Sequence, residues 1–203
     1  MSTPVTRKNI DDNYEHIFNV VSGKRFRNKQ SLNNEIPFFI CPYDPAIAVE
    51  MERLQARLTK RLEKAGVSIL EINLYDQAIE ILKERGIWEQ IFEVEPTVSK
   101  DELIELFQNV LDPAANLIPA IAEKLANSEF DVLFISGVGE VFPYIRSHNV
   151  LNNLQSTAKD KPTLMFFPGM YTHSLETGAS LDLFGRLHDD KYYRAFNILD
   201  VEP

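Results

Sequence analysis

Four short runs of almost continuous apolar residues limit what this chain can fold into: Ile36–Tyr43, Val67–Tyr75, Asp131–Ser136 and Thr163–Phe167. Each is too short for a helix of ordinary length. None alternates strictly between apolar and polar, as a strand with one wet face would. Such runs suit strands covered on both faces, and that arrangement belongs to mainly parallel sheets. Between them lie segments of helical periodicity. After Asp44-Pro45, an N-cap followed by proline at the first helical position, Ile47, Met51, Leu54, Leu58, Leu62 and Ala65 keep one face until Gly66. A helix between two short buried strands predicts a right-handed βαβ unit.

The rest of the chain extends that pattern. Asn13–Val21 offers Tyr14, Ile17, Phe18 and Val21 at helical spacing, predicting a short docked helix in an N-terminal extension of residues 1–35 ahead of one α/β domain, 36–203. Asp76 is the expected cap of a helix running to Gly86, and Ile87, Trp88, Ile91 and Phe92 form a further core patch. Ser99-Lys-Asp-Glu102 is a capping box ahead of Leu103, Leu106, Phe107 and Val110. Helical spacing resumes from Asn116 to Ala126 beyond Pro113, and Tyr144–Thr157 reads as another helix. Pro168-Gly169 is expected to end the fourth strand sharply, a loop follows from Thr172 to Ser180, and Arg194–Leu199 makes a fifth strand. The predicted fold is a three-layer α/β domain with a mainly parallel five-stranded sheet and helices on both faces. Its third strand, glycine turn and fourth strand resemble the later strands of P-loop ATPases, without a Walker A loop.

Composition excludes several roles. The net charge is −9, which disfavours DNA binding because phosphate contacts need clustered Lys and Arg. Cys41 is the only cysteine, so no intrachain disulfide forms, and at a strand end without a nearby base it reads as a buried, inert thiol. No apolar run reaches a membrane span, and no signal h-region follows Met1, so a cytoplasmic location is expected.

Candidate chemistry is sparse. Gly23-Lys24 fails as a phosphate loop because Phe18 and Arg25 stand where glycine and Ser or Thr are needed. Gly137-Val-Gly139 begins a dinucleotide fingerprint, yet Phe142 holds the third glycine position and Pro143 follows. Ser136 lacks the flanking glycines of a nucleophile elbow. His188 with Asp182, Asp189 and Asp190 could hold a divalent ion, but an Asp-rich connection ahead of a strand reads more simply as a turn. Arg186 and Arg194 either bridge to Asp182, Asp189 or Asp190 or present guanidinium groups to a partner. No catalytic group, cofactor site or metal site is expected.

One resemblance goes further. Asn34–Asp44, Gly137–Arg146 with Asn152-Asn-Leu154, Phe167-Pro-Gly-Met-Tyr171, Leu183-Phe-Gly-Arg-Leu187 and Tyr192-Tyr-Arg-Ala-Phe196 resemble the BrxB family of BREX bacteriophage-exclusion systems, from about residue 12 to the C-terminus. The resemblance implies a subunit of a host-methylation and phage-restriction machinery. It places the chemistry in other subunits: a methyltransferase, a large ATPase, and PglZ, which carries an alkaline-phosphatase-like domain. The expected role is a non-catalytic adaptor that binds PglZ, and the alternative is a degenerate nucleotide-binding domain acting as a regulatory sensor. The residues expected to form the partner-binding or structural signature are Gly137, Gly139, Glu140, Arg146, Pro168, Gly169, Tyr171, Phe184, Gly185, Arg186, Tyr192, Tyr193 and Arg194.

Overall fold

The computed structural model describes residues 3–28, 38–154, 157–174, 178–189 and 195–203. The elements follow in chain order. Helices α1 (Ile10–Ser22) and α2 (Lys24–Arg27) precede strand β1 (Phe38–Tyr43), helix α3 (Ala48–Lys64) and strand β2 (Ile69–Asn73). Helices α4 (Leu74–Glu84), α5 (Trp88–Val94), α6 (Lys100–Val110) and α7 (Ile118–Ala126) then lead to strand β3 (Val132–Ser136). Helix α8 (Ser147–Leu154) and strands β4 (Thr163–Ser174), β5 (Gly178–Leu183), β6 (Leu187–Asp189) and β7 (Phe196–Asn197) complete the chain.

The main sheet has the order β2-β3-β4-β1-β7, and every pairing along it is parallel. The mainly parallel five-stranded sheet read from the apolar runs is therefore present. Alternation along the strands divides the core in two. Phe38 and Ile40 of β1, with Met165 and Phe167 of β4, join Leu74, Ile81, Ile121 and Leu151 on one face. Phe39 and Cys41, with Leu164 and Phe166, join Ile17, Met51, Leu58 and Leu62 on the other. Helix α1 lies against α3 on this second face. There Arg61 stacks 3.7 Å from the Phe18 ring centre and pairs with Glu15 at 2.6 Å.

Several local expectations change. Pro168-Gly169 does not end β4, which runs through both residues and leaves the parallel sheet to pair antiparallel with β5. Pro168 is tolerated because the register with β3 stops at Met165, so its missing N–H costs no bond to that strand. Gly169 permits the crossing, since a Cβ there would lie 2.1 Å from the Asp182 carbonyl oxygen. The Thr172–Ser180 loop is thus a pair of hairpin strands, with residues 175–177 outside the described set. The cap of α4 is Asn73 rather than Asp76, its side chain accepting from Tyr75 N at 2.8 Å and Asp76 N at 3.3 Å. Helix α8 begins at Ser147, after a cis Phe142–Pro143 bond and a turn, and Thr157, the expected end of that helix, stands in a turn. The fifth strand shrinks to Phe196–Asn197, followed by a 3-10 turn.

Candidate functional site

Five parallel strands present their carboxyl ends on one side of the sheet. The chain leaves β1 toward β2 and leaves β4 toward β7, so the order reverses where β1 and β4 lie side by side. Ligands of open α/β sheets bind in the crevice outside such a point. A crevice of about 380 Å³ occupies that place, walled by Tyr43, Glu52, Glu71, Glu140, Pro168 and Phe184 among others. A larger hollow of about 730 Å³ lies at the opposite, amino ends of β2 and β3. Asp131 on its wall accepts from Ser68 N at 2.9 Å.

The loop after β1 shows how the chain closes one wall. In a phosphate-binding fold the free N–H groups of this loop would ring an anion. Here Pro42 and Pro45 carry none. Asp44 N donates to Val5 O at 2.8 Å, Ala46 N donates to the Asp44 carboxylate at 2.9 Å, and Ile47 N donates to Asp44 O at 3.0 Å. Val5 also donates to Pro42 O at 2.8 Å, so the N-terminal segment lies as a parallel bridge along the end of β1. The donors an anion would need are engaged within the protein.

The glycine turn after β3 has an equally local explanation. Gly137 sits at φ 74, and a Cβ there would lie 2.3 Å from Asn73 Oδ1, the atom that caps α4. At Gly139 a Cβ would come within 3.0 Å of Pro168 Cγ and 3.1 Å of Phe184 Cε1. One glycine therefore admits a helix cap, and the other admits the hairpin. Phe184 in turn adopts φ 55 beside Gly185 at φ 67, a left-handed pair closed by Arg186 N donating to Leu183 O at 3.1 Å. A bulky side chain there costs about 1 kcal/mol, and its ring stands edge-on to Phe142 at 6.4 Å.

Carboxylates set the electrostatics. Glu52, Glu71 and Glu140 line the crevice, and among the described residues no Lys, Arg or His lines it. Partial burial, then the charges of Glu52 and Asp76, push the Glu140 carboxyl above its ordinary range. Burial also raises the Tyr43 hydroxyl, helped by Cys41, Glu140 and Glu52. Glu71 accepts from the Thr59 hydroxyl. Among the described residues, Glu52, Asp76 and Glu140 form no ion pair, and no group of three or more metal-ligating side chains is suited to a metal ion.

An apolar rim completes the face. Val49 and Tyr75, at the first turns of α3 and α4, and Met170, Phe184 and Leu187 of the hairpin are all exposed. Leu187 shares the Leu183 face of the hairpin, opposite to the Pro168 and Met170 face that borders the crevice, and Phe92 lies on α5.

The signature residues divide accordingly. Gly137, Gly139, Glu140, Pro168 and Phe184 line the crevice. Gly169 and Gly185 shape the hairpin beside it. Arg186 is exposed at the hairpin tip, with no ion pair among the described residues. Arg146 is also exposed, and its carbonyl accepts from Asn149 and Val150 at the start of α8. Tyr171 is buried, donating to Ala195 O, with its hydroxyl pushed up to about 12 by burial and then by Asp200. Tyr192, Tyr193 and Arg194 lie outside the described residues, as does Asp190 of the acidic turn. Sequence reasoning missed Glu52, Glu71, Asn73 and Tyr75. Asn73 and Tyr75 stand at the carboxyl end of β2, Glu71 within β2 and Glu52 in the second turn of α3, and only the strand order brings them together.

Known proteins agree on the relationship. The family model described as "BREX protein BrxB" matches residues 70–198. A Bacillus cereus protein of that description is 33% identical over 197 residues, covering 95% of this chain and 99% of its own. An Escherichia coli protein of the same description is 27% identical over 184 residues, covering 90% of this chain and 88% of its own. No solved structure matches the chain. With a family model spanning most of the domain and a relative aligned almost end to end, the chain belongs to the BrxB family of BREX bacteriophage-defence proteins.

Proposed function

We propose that this BREX component is a non-catalytic adaptor that docks PglZ at the carboxyl-end face of its sheet, supporting host DNA methylation and phage restriction carried out by other subunits. The observation that carries the reading is the acidic crevice inside an apolar rim. Exposed apolar side chains gathered at one place mark surfaces that a partner covers. The methyltransferase and the large ATPase are further candidate partners.

The alternative, a nucleotide-sensing domain, is weakened by the same geometry. A triphosphate at the strand ends would meet carboxylates, and the N–H groups after β1 already have acceptors. The test is a binding measurement between the purified chain and PglZ, with ATP titrated as a control. A stoichiometric complex and no ATP heat are expected. Micromolar ATP affinity without a PglZ complex would reverse the assignment. Charge reversal at Arg186 or Arg194 that leaves the fold intact should abolish co-purification with PglZ if these side chains face the partner. Unchanged co-purification would make them structural.

A further inference from the structure

We propose that the crevice receives an arginine or lysine side chain projecting from an apolar segment of the partner protein, held by Glu52 and Glu140 while the segment covers the hairpin and the first turns of α3 and α4. This rests on the docking reading only for the identity of the partner.

Shape, charge and rim each contribute to the argument. The crevice is a concavity at the switch point of a parallel sheet, about 380 Å³, large enough for a long side chain. Glu52 comes from α3 and Glu140 from the turn after β3, so the acidic groups converge from separate elements. Neither has a cation partner among the described residues. Their mutual repulsion, felt at Glu140 together with Asp76, is relieved by an inserted cation and worsened by an anion. A bare metal ion fits poorly, because the described carboxylates, histidines and cysteine offer no suitable group of three ligands. A second copy of this chain would bring the same acidic face against itself. Around the crevice, Val49, Tyr75, Met170 and Phe184 offer apolar area that a lone amino acid or polyamine would leave wet. Arginine or lysine on an apolar segment satisfies both the acidic floor and the apolar rim, and charges desolvated at the centre of such a patch discriminate between partners.

The probe is a pair of short peptides with alternating leucine and arginine or leucine and citrulline, citrulline being arginine's uncharged isostere. Binding is followed by amide NMR shifts of the full chain and of Glu52→Gln/Glu140→Gln. Glu95→Gln/Asp101→Gln, altered at exposed carboxylates on another surface, is the control for general attraction to an acidic protein. The arginine peptide should shift the amides of Gly137–Glu140 and bind at least about tenfold more tightly than the citrulline peptide. That preference should vanish in Glu52→Gln/Glu140→Gln and persist in the control. Equal affinity for the two peptides, shifts confined to another surface, an equal loss in the control, displacement of the peptide by magnesium chloride at millimolar concentration, or dimerisation through this face in sedimentation would each overturn the proposal. The partner is tested separately. If the arginine preference holds but PglZ does not bind, the choice of PglZ fails and the cation-accepting crevice stands. If PglZ binds the wild type and Glu52→Gln/Glu140→Gln equally, the adaptor stands and the inserted cation fails.

Discussion

Glu140 shows how one side chain can work against the fold that carries it. Its carboxyl is raised by partial burial, then by Glu52 and Asp76, so in the folded protein it holds its proton to a higher pH than in the unfolded chain. The native state therefore binds more protons through that interval, and stability falls as pH rises through the folded pKa. Glu140→Gln removes a charge the fold disfavours. It should raise stability at pH 7 by about 0.5 kcal/mol, the scale of an exposed, screened group, and by less at pH 4. Thermal melts of the two proteins at both pH values test this, and a variant less stable than wild type at pH 7 would contradict it. Cys41 gives a contrasting case. It is fully buried, and burial pushes its thiol up to about 12. Ellman's reagent should leave it unmodified in the native protein and label it completely in guanidinium. The buried thiol was legible in the sequence, because a cysteine inside an apolar run packs as a small apolar side chain. The strained carboxylate was not, because Glu52 and Glu140 are far apart in the chain and meet only when the sheet closes.

Elements show where local rules hold and where tertiary contacts override them. The Ser99 capping box formed as read, with Ser99 N donating to Glu102 Oε2 at 2.8 Å and Glu102 N donating to Ser99 Oγ at 3.3 Å, since both partners lie within one turn. The start of α4 was misread, because β2 ends earlier than its apolar run and leaves Asn73 at the junction. That Asn73 is accommodated by Gly137 from the turn after β3 is a long-range fact no local pattern records. Asn73→Ala should cost about 1 kcal/mol. Gly137→Ala should cost more, about 2 kcal/mol, because it combines a left-handed backbone with an overlap on Asn73 Oδ1. Since one part of the second penalty is loss of the same cap, the double variant should fall short of the sum of the singles. Urea titrations of the four proteins decide, and strict additivity would separate the glycine from the cap. Pro168-Gly169 misled for a related reason. Read locally it stops a strand; in the fold it is where β4 changes partners, with Gly169 giving passage to the Asp182 carbonyl.

At the scale of the molecule, class was legible and order was not. Apolar runs covered on both faces imply a parallel sheet, and the two cores are that implication made concrete. Which strands lie side by side depends on pairings across many residues, such as β1 between β4 and β7, and no periodicity encodes them. Yet the order creates the site, since it gathers the ends of β1, β2, β3 and β4 around the crevice and carries the hairpin to its rim. The consequence for association is separable into two kinds of force. A net charge of −9 together with Glu52 and Glu140, which have no ion pair among the described residues, should steer a basic partner surface from a distance, an effect on the association rate that salt screens. The apolar rim acts only at contact, and so governs dissociation. In surface plasmon resonance of the proposed PglZ complex, raising salt from about 50 to 500 mM should therefore slow association at least about tenfold in the wild type. Glu52→Gln/Glu140→Gln should flatten that dependence. Val49→Ser/Met170→Ser should instead leave the salt dependence of association unchanged and speed dissociation. Truncating two exposed apolar side chains that the partner covers costs about 2 kcal/mol, or roughly thirtyfold in lifetime. Were both pairs of substitutions to act on dissociation alone, charge would belong to the bound contact and not to the approach. Were neither to act, PglZ would dock on another surface and the carboxyl-end face would serve some other partner.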